Sequence, residues 1–484
     1  MQSSFINVVA EINSALSAFV WGLPTIFLIL GTGLFLSFRT RFLQIRRFGE
    51  VLSKTIIPAV KSLGGKRKKD LNGKSISQFE AFSTAISGTV GTGNIVGVVA
   101  AILTGGAGAV FWMWVSALFG MVVSYCENVL GLYFRKSDES GNLSSGSFYY
   151  IAYGLGSKWL AYFAAAFCAL AAIGMGGVQS NKISGTLAQS LSGDSENARL
   201  VIGIVVALLA AVIIGGGIKR IGKVTALLAP VMSLLFIALA LVSIVMHFYR
   251  VPEAFGLIIS QAFDFNAVGC GVMGFGIGAA LKKGLARGVF SNEAGLGSSV
   301  IAHSASELRE PVRQGMWGIF EVFFDTFVIC TLTALMFLTT NDVSALSPDM
   351  DDSALSVGMF SANFGGFGVL AFSLILPLFA FTSIIAWSYY GEKAVGFLSG
   401  KRSKYPVMIF RAFFIALIVA APCIQSGLVW ELDDTFNGLM ALPNLVSLVA
   451  LSGLVVRITK NYYARKNGRR IAPMLSAYDK KHTL

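Results

Sequence analysis

Residues 87–94 read Ser-Gly-Thr-Val-Gly-Thr-Gly-Asn, which places three glycines, three hydroxyls and an amide inside an apolar run, 81–104, long enough to cross a bilayer. Glycine weakens helix continuity, so backbone N–H and C=O groups there lose their intrahelical partners. In lipid, such groups are tolerated only where they line a cavity or meet a partner. We therefore predict a helix that breaks within the membrane, with half-helix N-termini facing the carboxylate of a small zwitterion and freed carbonyls and hydroxyls facing a cation.

The composition is that of a polytopic membrane protein. Of 484 residues, 55% are hydrophobic and only 13% are charged, and the mean hydropathy is +0.71. The net charge of +13 comes from basic residues in short connections between apolar runs, which indicates membrane topology and a lipid bilayer rather than a nucleic-acid partner. The five cysteines form no CxxC pair, and neither a Ser/His/Asp arrangement nor an HExxH motif is present. We therefore expect free cysteines, no enzyme activity and no cofactor.

Eleven apolar runs are close to the length of a spanning helix. They lie at 14–38, 81–104, 109–134, 157–180, 199–216, 222–247, 268–286, 314–340, 365–391, 406–424 and 435–457. If the N-terminus is outside, the inner connections and their flanks hold 35 of the 38 Lys and Arg residues, leaving Lys182, Arg199 and Arg250 outside. The positive-inside rule then predicts that the C-terminus is cytoplasmic, and we expect the protein in the cytoplasmic (inner) membrane. Within the polar connection 39–80 we expect an amphipathic surface helix near 43–62.

A second glycine-rich stretch, 269–278 (GCGVMGFGIG), opens the seventh span. It lies five helices after the first break, so the two have opposite orientation, as in transporters built from inverted repeats. The predicted organisation is an extra N-terminal helix (1–38), a basic cytoplasmic loop (39–80), two five-helix repeats (81–247 and 248–457) and a basic cytoplasmic tail (458–484).

Five motifs resemble those of the alanine or glycine:cation symporters, the sodium:alanine symporter family. They are GTVGTGN (88–94), GGAGAVFWMWVSALFG (105–120), RGVFSNEAGLGS (287–298), FFDT (323–326) and AWSYYGEK (386–393). The resemblance implies an all-α membrane protein of 11 transmembrane helices, with a LeuT-type core of inverted five-helix repeats preceded by one extra helix. It also implies uptake of a small neutral amino acid coupled to sodium ion, or alternatively to protons.

The same resemblance assigns roles to residues of the first break and of two other spans. It implies that Gly91, Thr92 and Gly93 offer N–H groups to the substrate carboxylate, and that Ser87, Thr89, Val90 and Asn94 offer oxygens to cations. It makes Gln179 and Trp387 substrate contacts, and it places Phe379, Thr382 and Ser383 in a cation site. The alternatives are a glycine packing seam for the break, an interhelical hydrogen bond for Gln179 and an interfacial aromatic belt for Trp387.

In the seventh span, Phe275, Gly276 and Gly278 are expected to contact the substrate. Because the family often has bulkier residues at Gly278 and Ala279, we hypothesise a pocket roomy enough for serine or glutamine. Ala107 also departs from the family pattern, which commonly has proline there.

Two carboxylates, Glu321 and Asp325, share one face of the eighth span. Asp325 is a candidate for the cation path, since buried carboxylates in a membrane are costly and usually functional. The alternative is that these carboxylates form structural ion pairs with a basic residue such as Lys282 or Lys283. Glu127 and Glu293 are expected to hold loops in place.

Residues 89–93 also echo the TVGYG filter of potassium channels, but that filter requires four copies of a loop and this chain has one. A channel and a non-transporting receptor are therefore weaker alternatives to a symporter that works by alternating access. The oligomeric state is not indicated by the sequence.

Overall fold

The structure, a computed structural model, describes residues 2–64, 75–137, 143–191, 195–263, 275–341, 347, 350–400, 403–424 and 426–475. Within these ranges the chain is nearly all helical, apart from one antiparallel pair of strands, β1 (Lys136–Ser137) and β2 (Leu143–Ser144). The helices of the N-terminal part are α1 (Gln2–Val20), α2 (Leu23–Thr40), α3 (Leu43–Arg46), α4 (Phe48–Gly64), α5 (Gln78–Thr89), α6 (Val96–Gly105), α7 (Gly108–Phe134), α8 (Ser147–Tyr150), α9 (Lys158–Leu191), α10 (Glu196–Ile214) and α11 (Gly217–Met246).

The C-terminal part continues with α12 (Val251–Ala262), α13 (Phe275–Asn292), α14 (Val300–His303), α15 (Pro311–Val322), α16 (Thr331–Thr340), α17 (Asp352–Ser399), α18 (Lys404–Ala420) and α19 (Ser426–Lys466). A π-helix, Phe323–Cys330, joins α15 to α16.

Nine helical segments of the described chain are long and apolar enough to cross a membrane. Their outer surfaces carry exposed aliphatic side chains, such as Leu208, Val212 and Leu234, which are 64%, 64% and 66% exposed. A surface of this kind suits lipid rather than water. Two predicted spans are not among the nine: 81–104 is divided into α5 and α6, and the first residues of 268–286 lie outside the described residues.

Several predicted spans have different limits in the structure, and three of them show the reasons. The first begins earlier and is interrupted at Trp21 and Gly22, where Pro24 sits in the first turn of α2. The ninth begins at Asp352 and kinks at Gly365, whose φ of 58° suits glycine. The eleventh runs from Ser426 to Lys466, beyond the apolar stretch, because helix continues after the hydrophobic pattern ends.

Small residues let the central helices approach closely. A Cβ on Gly318 of α15 would lie 2.6 Å from Ser124 Oγ on α7, and a Cβ on Gly315 would lie 2.6 Å from the Tyr125 ring. These close approaches bring α7 and α15 together behind the interrupted helix, and Trp317 is fully enclosed beside them, with 1% exposure.

The surface helix predicted near 43–62 corresponds to α3 and α4. Ala107, the departure from the family's proline, lies in the turn between α6 and α7. Its N–H donates to Gln261 Oε1 at 2.7 Å, a bond that proline could not make.

Candidate functional site

The helix predicted to break does break. A capping box of Ser77 and Glu80 starts α5, which ends at Thr89. Val90 and Gly91 are extended, the next three residues form one turn of 3₁₀-helix, and α6 resumes at Val96. Every residue from 80 to 99 is buried, so the interruption lies inside the protein, where its free backbone groups require partners.

Asn94 holds the interrupted segment in shape. Its Oδ1 accepts the Gly91 N–H at 3.0 Å, while its Nδ2 donates to Asp325 Oδ1 at 2.6 Å and to Ser291 Oγ at 3.1 Å. The Asn94 carbonyl accepts the Thr333 hydroxyl at 2.8 Å. The side chain of Asn94 thus links the break to α13 and to the π-helix, and its backbone carbonyl links the break to α16. Ser291 and Thr333 were not identified from the sequence, although Ser291 lies within the motif at 287–298.

Helix α17 contributes the hydroxyls predicted for a cation site. Ser383 Oγ lies 2.9 Å from the Ser87 carbonyl oxygen and 3.2 Å from that of Phe379, and Thr382 Oγ1 donates to the same Phe379 carbonyl at 2.9 Å. Ser87 lies on α5, so the Ser383 contact joins the two helices immediately before the break. Five oxygen atoms of α5 and α17 are therefore gathered in one buried region: the Ser87 and Phe379 carbonyls and the hydroxyls of Ser87, Thr382 and Ser383.

Trp387 lies one turn further along α17. Its Nε1–H donates to the Gly88 carbonyl at 3.3 Å, and its side chain is fully buried. The interfacial aromatic belt, the alternative for this residue, is therefore wrong. Tyr390 follows on the same face, and its Oη would lie 2.8 Å from a Cβ on Gly88.

A further helix, α9, contacts the break through Gln179. Its Oε1 accepts the Thr92 N–H at 3.4 Å, and its Nε2 would lie 3.0 Å from a Cβ on Gly91. The interhelical hydrogen bond considered for Gln179 is thus present, and it is made with the interrupted segment itself. Among the described residues, neither Ser87 Oγ nor Thr92 Oγ1 has a hydrogen-bond partner, although both are buried. Buried polar atoms without partners are uncommon and require an explanation.

Thr89 and Gly93 complete the segment. The Thr89 hydroxyl donates to the Ile86 carbonyl at 3.2 Å, so the oxygen keeps its lone pairs for a further contact. Gly93 faces α13, where the Phe290 ring would lie 3.8 Å from a Cβ at that position.

The two carboxylates of the eighth span do not pair with Lys282 or Lys283 within the described structure. Asp325, on the π-helix, accepts hydrogen bonds from Asn94, Ser291 and Thr326 at 2.6–2.9 Å. π-Helical turns occur often at functional sites, because they turn side chains out of the regular helical register. The lysine partners considered for Asp325 are therefore wrong: two of its partners, Asn94 and Ser291, come from other parts of the chain, and Thr326 is its neighbour in the π-helix.

Glu321 instead pairs with His303 of α14, at 2.8 Å. Gln314 Nε2 lies 2.7 Å from His303 Nδ1, and its Oε1 accepts the Ser306 hydroxyl at 2.8 Å. This orientation makes Nδ1 an acceptor and leaves the proton on Nε2. Helix α14 is not one of the spanning helices, and burial lowers the pKa of His303 to about 3.

The remaining acids tie loops, as predicted. Glu127 Oε1 accepts the Gly295 N–H at 3.1 Å and the Asn444 amide at 2.5 Å. Glu293 Oε2 accepts the Ser298 hydroxyl at 2.5 Å. Both carboxylates therefore hold the connection that follows α13.

The seventh-span residues are only partly described. Phe275, Gly276 and Gly278 lie in the first turn of α13, and the preceding part of the glycine-rich stretch, 269–274, lies outside the described residues. Their expected contact with substrate remains a prediction.

Two cavities with no lining residue in common lie elsewhere in the bundle, and no residue of 87–94 lines either of them. One, of about 440 Å³, is lined by Thr104, Arg287, Phe290 and Asp434, and ends at the ring of Phe290 beside Gly93. The other, of about 530 Å³, includes Tyr389, next to Tyr390. The interrupted segment is closed from both.

Lys282, Lys283 and Arg287 line the first cavity together with Thr104, the last residue of the second predicted span (81–104), which ends outside if the N-terminus is outside. The sequence count assigned these three basic residues to the inner side, because it ended the seventh span at residue 286, whereas α13 continues to Asn292. Counting these three residues as outside changes the predicted distribution of Lys and Arg from 35 inside and 3 outside to 32 inside and 6 outside, so the excess stays on the inner side.

Comparison with known proteins identifies the family. The profile of the sodium:alanine symporter family matches residues 6–475. The chain belongs to the sodium:alanine symporter family. It is 39% identical over 473 residues to the sodium/alanine symporter AgcS of Methanococcus maripaludis, an alignment that covers 96% of this chain and 98% of the relative. An uncharacterized transporter of Haemophilus influenzae is 38% identical, with 94% and 97% covered, and the probable sodium/glutamine symporter GlnT of Bacillus subtilis is 33% identical, with 96% and 92% covered.

Solved structures give the fold of this symporter. MhsT in complex with L-phenylalanine matches with a TM-score of 0.57 at 15% identity, covering 80% of this chain and 98% of that one. A sodium-coupled sialic acid symporter matches with a TM-score of 0.54 at 14% identity, covering 89% and 92%. These are LeuT-fold neighbours. The predicted family is confirmed: the protein is a multi-pass sodium-coupled amino-acid symporter, not an enzyme.

Proposed function

We propose that this symporter carries a small neutral amino acid together with sodium across the cytoplasmic membrane by alternating access. In this proposal the chain has eleven spans, with the N-terminus outside and the C-terminus in the cytoplasm. The second to sixth spans form one repeat (81–247), and the seventh to eleventh spans form its inverted counterpart (248–457). The excess of basic residues on one side supports the orientation.

The observation that carries the proposal is the buried interruption between α5 and α6. In a regular helix the backbone N–H and C=O groups form hydrogen bonds with each other. Here Gly91 and Thr92 instead donate their N–H groups to the side chains of Asn94 and Gln179. Two further hydroxyls, on Ser87 and Thr92, are buried without partners among the described residues. A region of this kind suits small polar ligands, which supply the missing partners.

Sodium binds between α5 and α17 in this proposal. Its ligands are oxygens of Ser87, Thr89 and Val90 on the interrupted helix and of Phe379, Thr382 and Ser383 on α17, with Asn94 closing the site. The 2.9 Å approach of Ser383 Oγ to the Ser87 carbonyl supports this choice, because it brings oxygens of the two helices within reach of one ion. Neutral oxygens can replace the water around a hard cation without burying a second full charge. Asp325 acts one step away, through its hydrogen bond with Asn94.

The amino acid binds on the other side of the break. Gly91, Thr92 and Gly93 receive its carboxylate, Gln179 turns its amide towards it, and Trp387 walls the pocket. Phe275, Gly276 and Gly278 face the side chain. Small residues at Gly278 and Ala279 are the basis for proposing serine or glutamine besides alanine and glycine, and a relative described as a probable sodium/glutamine symporter is consistent with a larger substrate.

Coupling follows if each ligand binds more tightly when the other is present. Sodium bound to the Ser87 carbonyl orders the backbone that follows, and the N–H groups of residues 91–93 in that backbone hold the carboxylate of the amino acid. The sodium site and the amino-acid site therefore share one segment of the chain. A membrane potential would add about 2.3 kcal/mol per charge for each 100 mV. One cavity reaches Phe290, whose ring faces Gly93, and another reaches Tyr389; in this proposal they are the routes towards the break from the two faces of the membrane.

The test is uptake of labelled alanine into proteoliposomes that contain the purified protein. We expect saturable, concentrative uptake with a sodium gradient and none when potassium replaces sodium. Uptake driven by an imposed pH gradient alone would favour proton coupling, equilibration without accumulation would indicate a channel, and binding without uptake a receptor. Competition by a panel of neutral amino acids gives the substrate range, and competition by glycine and alanine only would reject the roomier pocket.

A further inference from the structure

A cavity of about 560 Å³ lies far from the break, where the end of α2, the short helix α3 and the end of α19 meet. Six cationic side chains line it and no carboxylate does: Arg39, Arg41, Arg46, Arg47, Lys460 and Arg469. Like charges that converge on one cavity repel each other, so the arrangement favours the binding of an anion, although all six side chains are exposed and water screens part of the repulsion.

The protein supplies little compensation of its own. Glu50 is a described acid that pairs with a cation of the cavity wall: it lies 3.9 Å from Arg47, and it also accepts a hydrogen bond from Lys466 at 2.7 Å. In the described part of the chain, no carboxylate lies within 4 Å of the other five cations of the cavity. The net charge of the cavity wall is therefore strongly positive.

The cavity is a built feature of the fold. Its floor includes Leu43 and Thr459, which are 1% and 8% exposed, and the ring of Tyr463 under the guanidinium of Arg47. The turn that connects α2 to α3 holds Arg41 and Phe42 at φ values of 60° and 51°, a conformation that side chains other than glycine adopt at a cost. This turn directs the chain from a membrane span onto the surface and brings α3 to the end of α19.

Apolar side chains flank the cationic wall. Phe38, Phe35 and Ile45, on α2 and α3, are 64%, 40% and 55% exposed. On α4, which continues along the surface, Ile56 and Ile57 are 40% and 50% exposed. A cationic cavity with an apolar flank at the end of a membrane span suits a ligand that has a phosphate group and hydrocarbon chains.

We propose that this cavity binds a phosphate group, and that its source is the headgroup of an anionic phospholipid. Guanidinium groups match the oxygens of a phosphate in pairs, which explains the predominance of arginine over lysine in the wall. The acyl chains lie along Phe35, Phe38 and Ile45. The bound lipid neutralises the wall and joins the extra N-terminal span to α19, a role separate from the transport of amino acid and sodium.

The experiment compares phospholipid binding by the purified full-length protein and by two triple variants. The cavity variant carries Arg46→Gln, Lys460→Gln and Arg469→Gln. The control variant carries Lys54→Gln, Lys158→Gln and Lys223→Gln, which removes three exposed basic residues on the same predicted side that do not line the cavity. Native mass spectrometry during titration with phosphatidylglycerol or phosphatidylcholine gives the affinities, and thermal unfolding in detergent with each lipid gives the stabilisation.

We expect phosphatidylglycerol to bind the wild type and the control variant alike, and the cavity variant on the order of 100-fold more weakly, since each basic residue near the surface contributes roughly fivefold. Phosphatidylcholine should not reproduce the stabilisation. Inorganic phosphate and glycerol 3-phosphate form a separate arm: if they stabilise the wild type as well as phosphatidylglycerol does, and not the cavity variant, the site takes soluble phosphate instead of lipid.

Equal phosphatidylglycerol binding by the cavity and control variants would overturn the proposal. If the cavity variant does not fold, Arg469→Gln alone serves, because Arg469 lies beyond the end of α19 and is exposed. It should lose roughly fivefold in affinity, and no loss would overturn the proposal as well.

Discussion

Gly91 offers the sharpest test of the proposed sodium site. Its φ and ψ of −129° and −155° are extended and open to any residue, so an alanine there would not strain the backbone. The added Cβ would, however, lie 2.8 Å from Ser383 Oγ and 3.0 Å from Gln179 Nε2. Gly91→Ala therefore acts on the site and not on the helices that carry it.

The expected loss of sodium affinity follows from the hydrogen bond that Ser383 loses. To reach an ordinary contact of about 3.4 Å or more from the new Cβ, its hydroxyl has to turn away from the Ser87 carbonyl, now 2.9 Å away. The net loss of one hydrogen bond is about 0.5–1.5 kcal/mol. We expect the apparent affinity for sodium to fall by roughly two- to twelvefold.

The assay is initial alanine uptake into proteoliposomes at increasing sodium concentration, for the wild type, Gly91→Ala, Ser383→Ala and the double variant. Removing the Ser383 hydroxyl removes the closer of the two contacts and leaves the one with Gln179 Nε2, so Gly91→Ala should cost less in the Ser383→Ala background than in the wild type. Gly31→Ala is the control, because no heavy atom lies within 4 Å of a Cβ there and alanine favours its helix. Fully additive losses, or an unchanged sodium dependence in Gly91→Ala, would refute the reasoning.

Three further predictions concern other parts of the structure. Trp387→Phe removes the N–H that meets the Gly88 carbonyl at 3.3 Å and should raise KM for the amino acid by about fivefold, whereas an unchanged KM would remove Trp387 from the pocket. Gly318→Ala places a Cβ 2.6 Å from Ser124 Oγ and should lower the free energy of unfolding by about 1–3 kcal/mol, seen as a lower Tm than that of the wild type. Burial lowers the pKa of His303 from 6.5 to about 3, so as the pH falls the unfolded chain binds a proton at this residue before the folded chain does. The contribution of His303 to the free energy of unfolding should therefore fall below pH 6.5, by up to about 1.4 kcal/mol per pH unit. His303→Gln should make the free energy of unfolding depend less steeply on pH, and an equal slope in both proteins would contradict this.

Much of the architecture could be predicted because its causes are local. Glycines at 88, 91 and 93 weaken a helix wherever it lies, and the break appears where they are. Apolar runs of about 20 residues become spans because the thickness of a bilayer fixes the length. The limits of the spans were less accurate, as with α13, because helix can continue past the apolar stretch.

The partners of the buried polar groups could not be predicted in the same way. Nothing in the sequence near Glu321 indicated that His303, rather than a lysine, would be its partner. Gln179 was recognised as a candidate, but its bond to the Thr92 N–H depends on how α9 crosses the break. The π-helix that turns Asp325 towards Asn94 also had no evident signal in the residues of its own segment.

By itself the sequence determined that the chain spans a membrane and where one helix loses its regular winding, and it predicts the side on which the basic loops lie. Only the tertiary structure decided which groups meet at that break: Ser383 reaches the Ser87 carbonyl across 296 residues of chain, and Asp325 reaches Asn94 across 231. The physical reason is one of range. Helix propensity and transfer into lipid act on each residue and its neighbours, whereas a hydrogen bond between distant segments exists only once packing has set the distance between them.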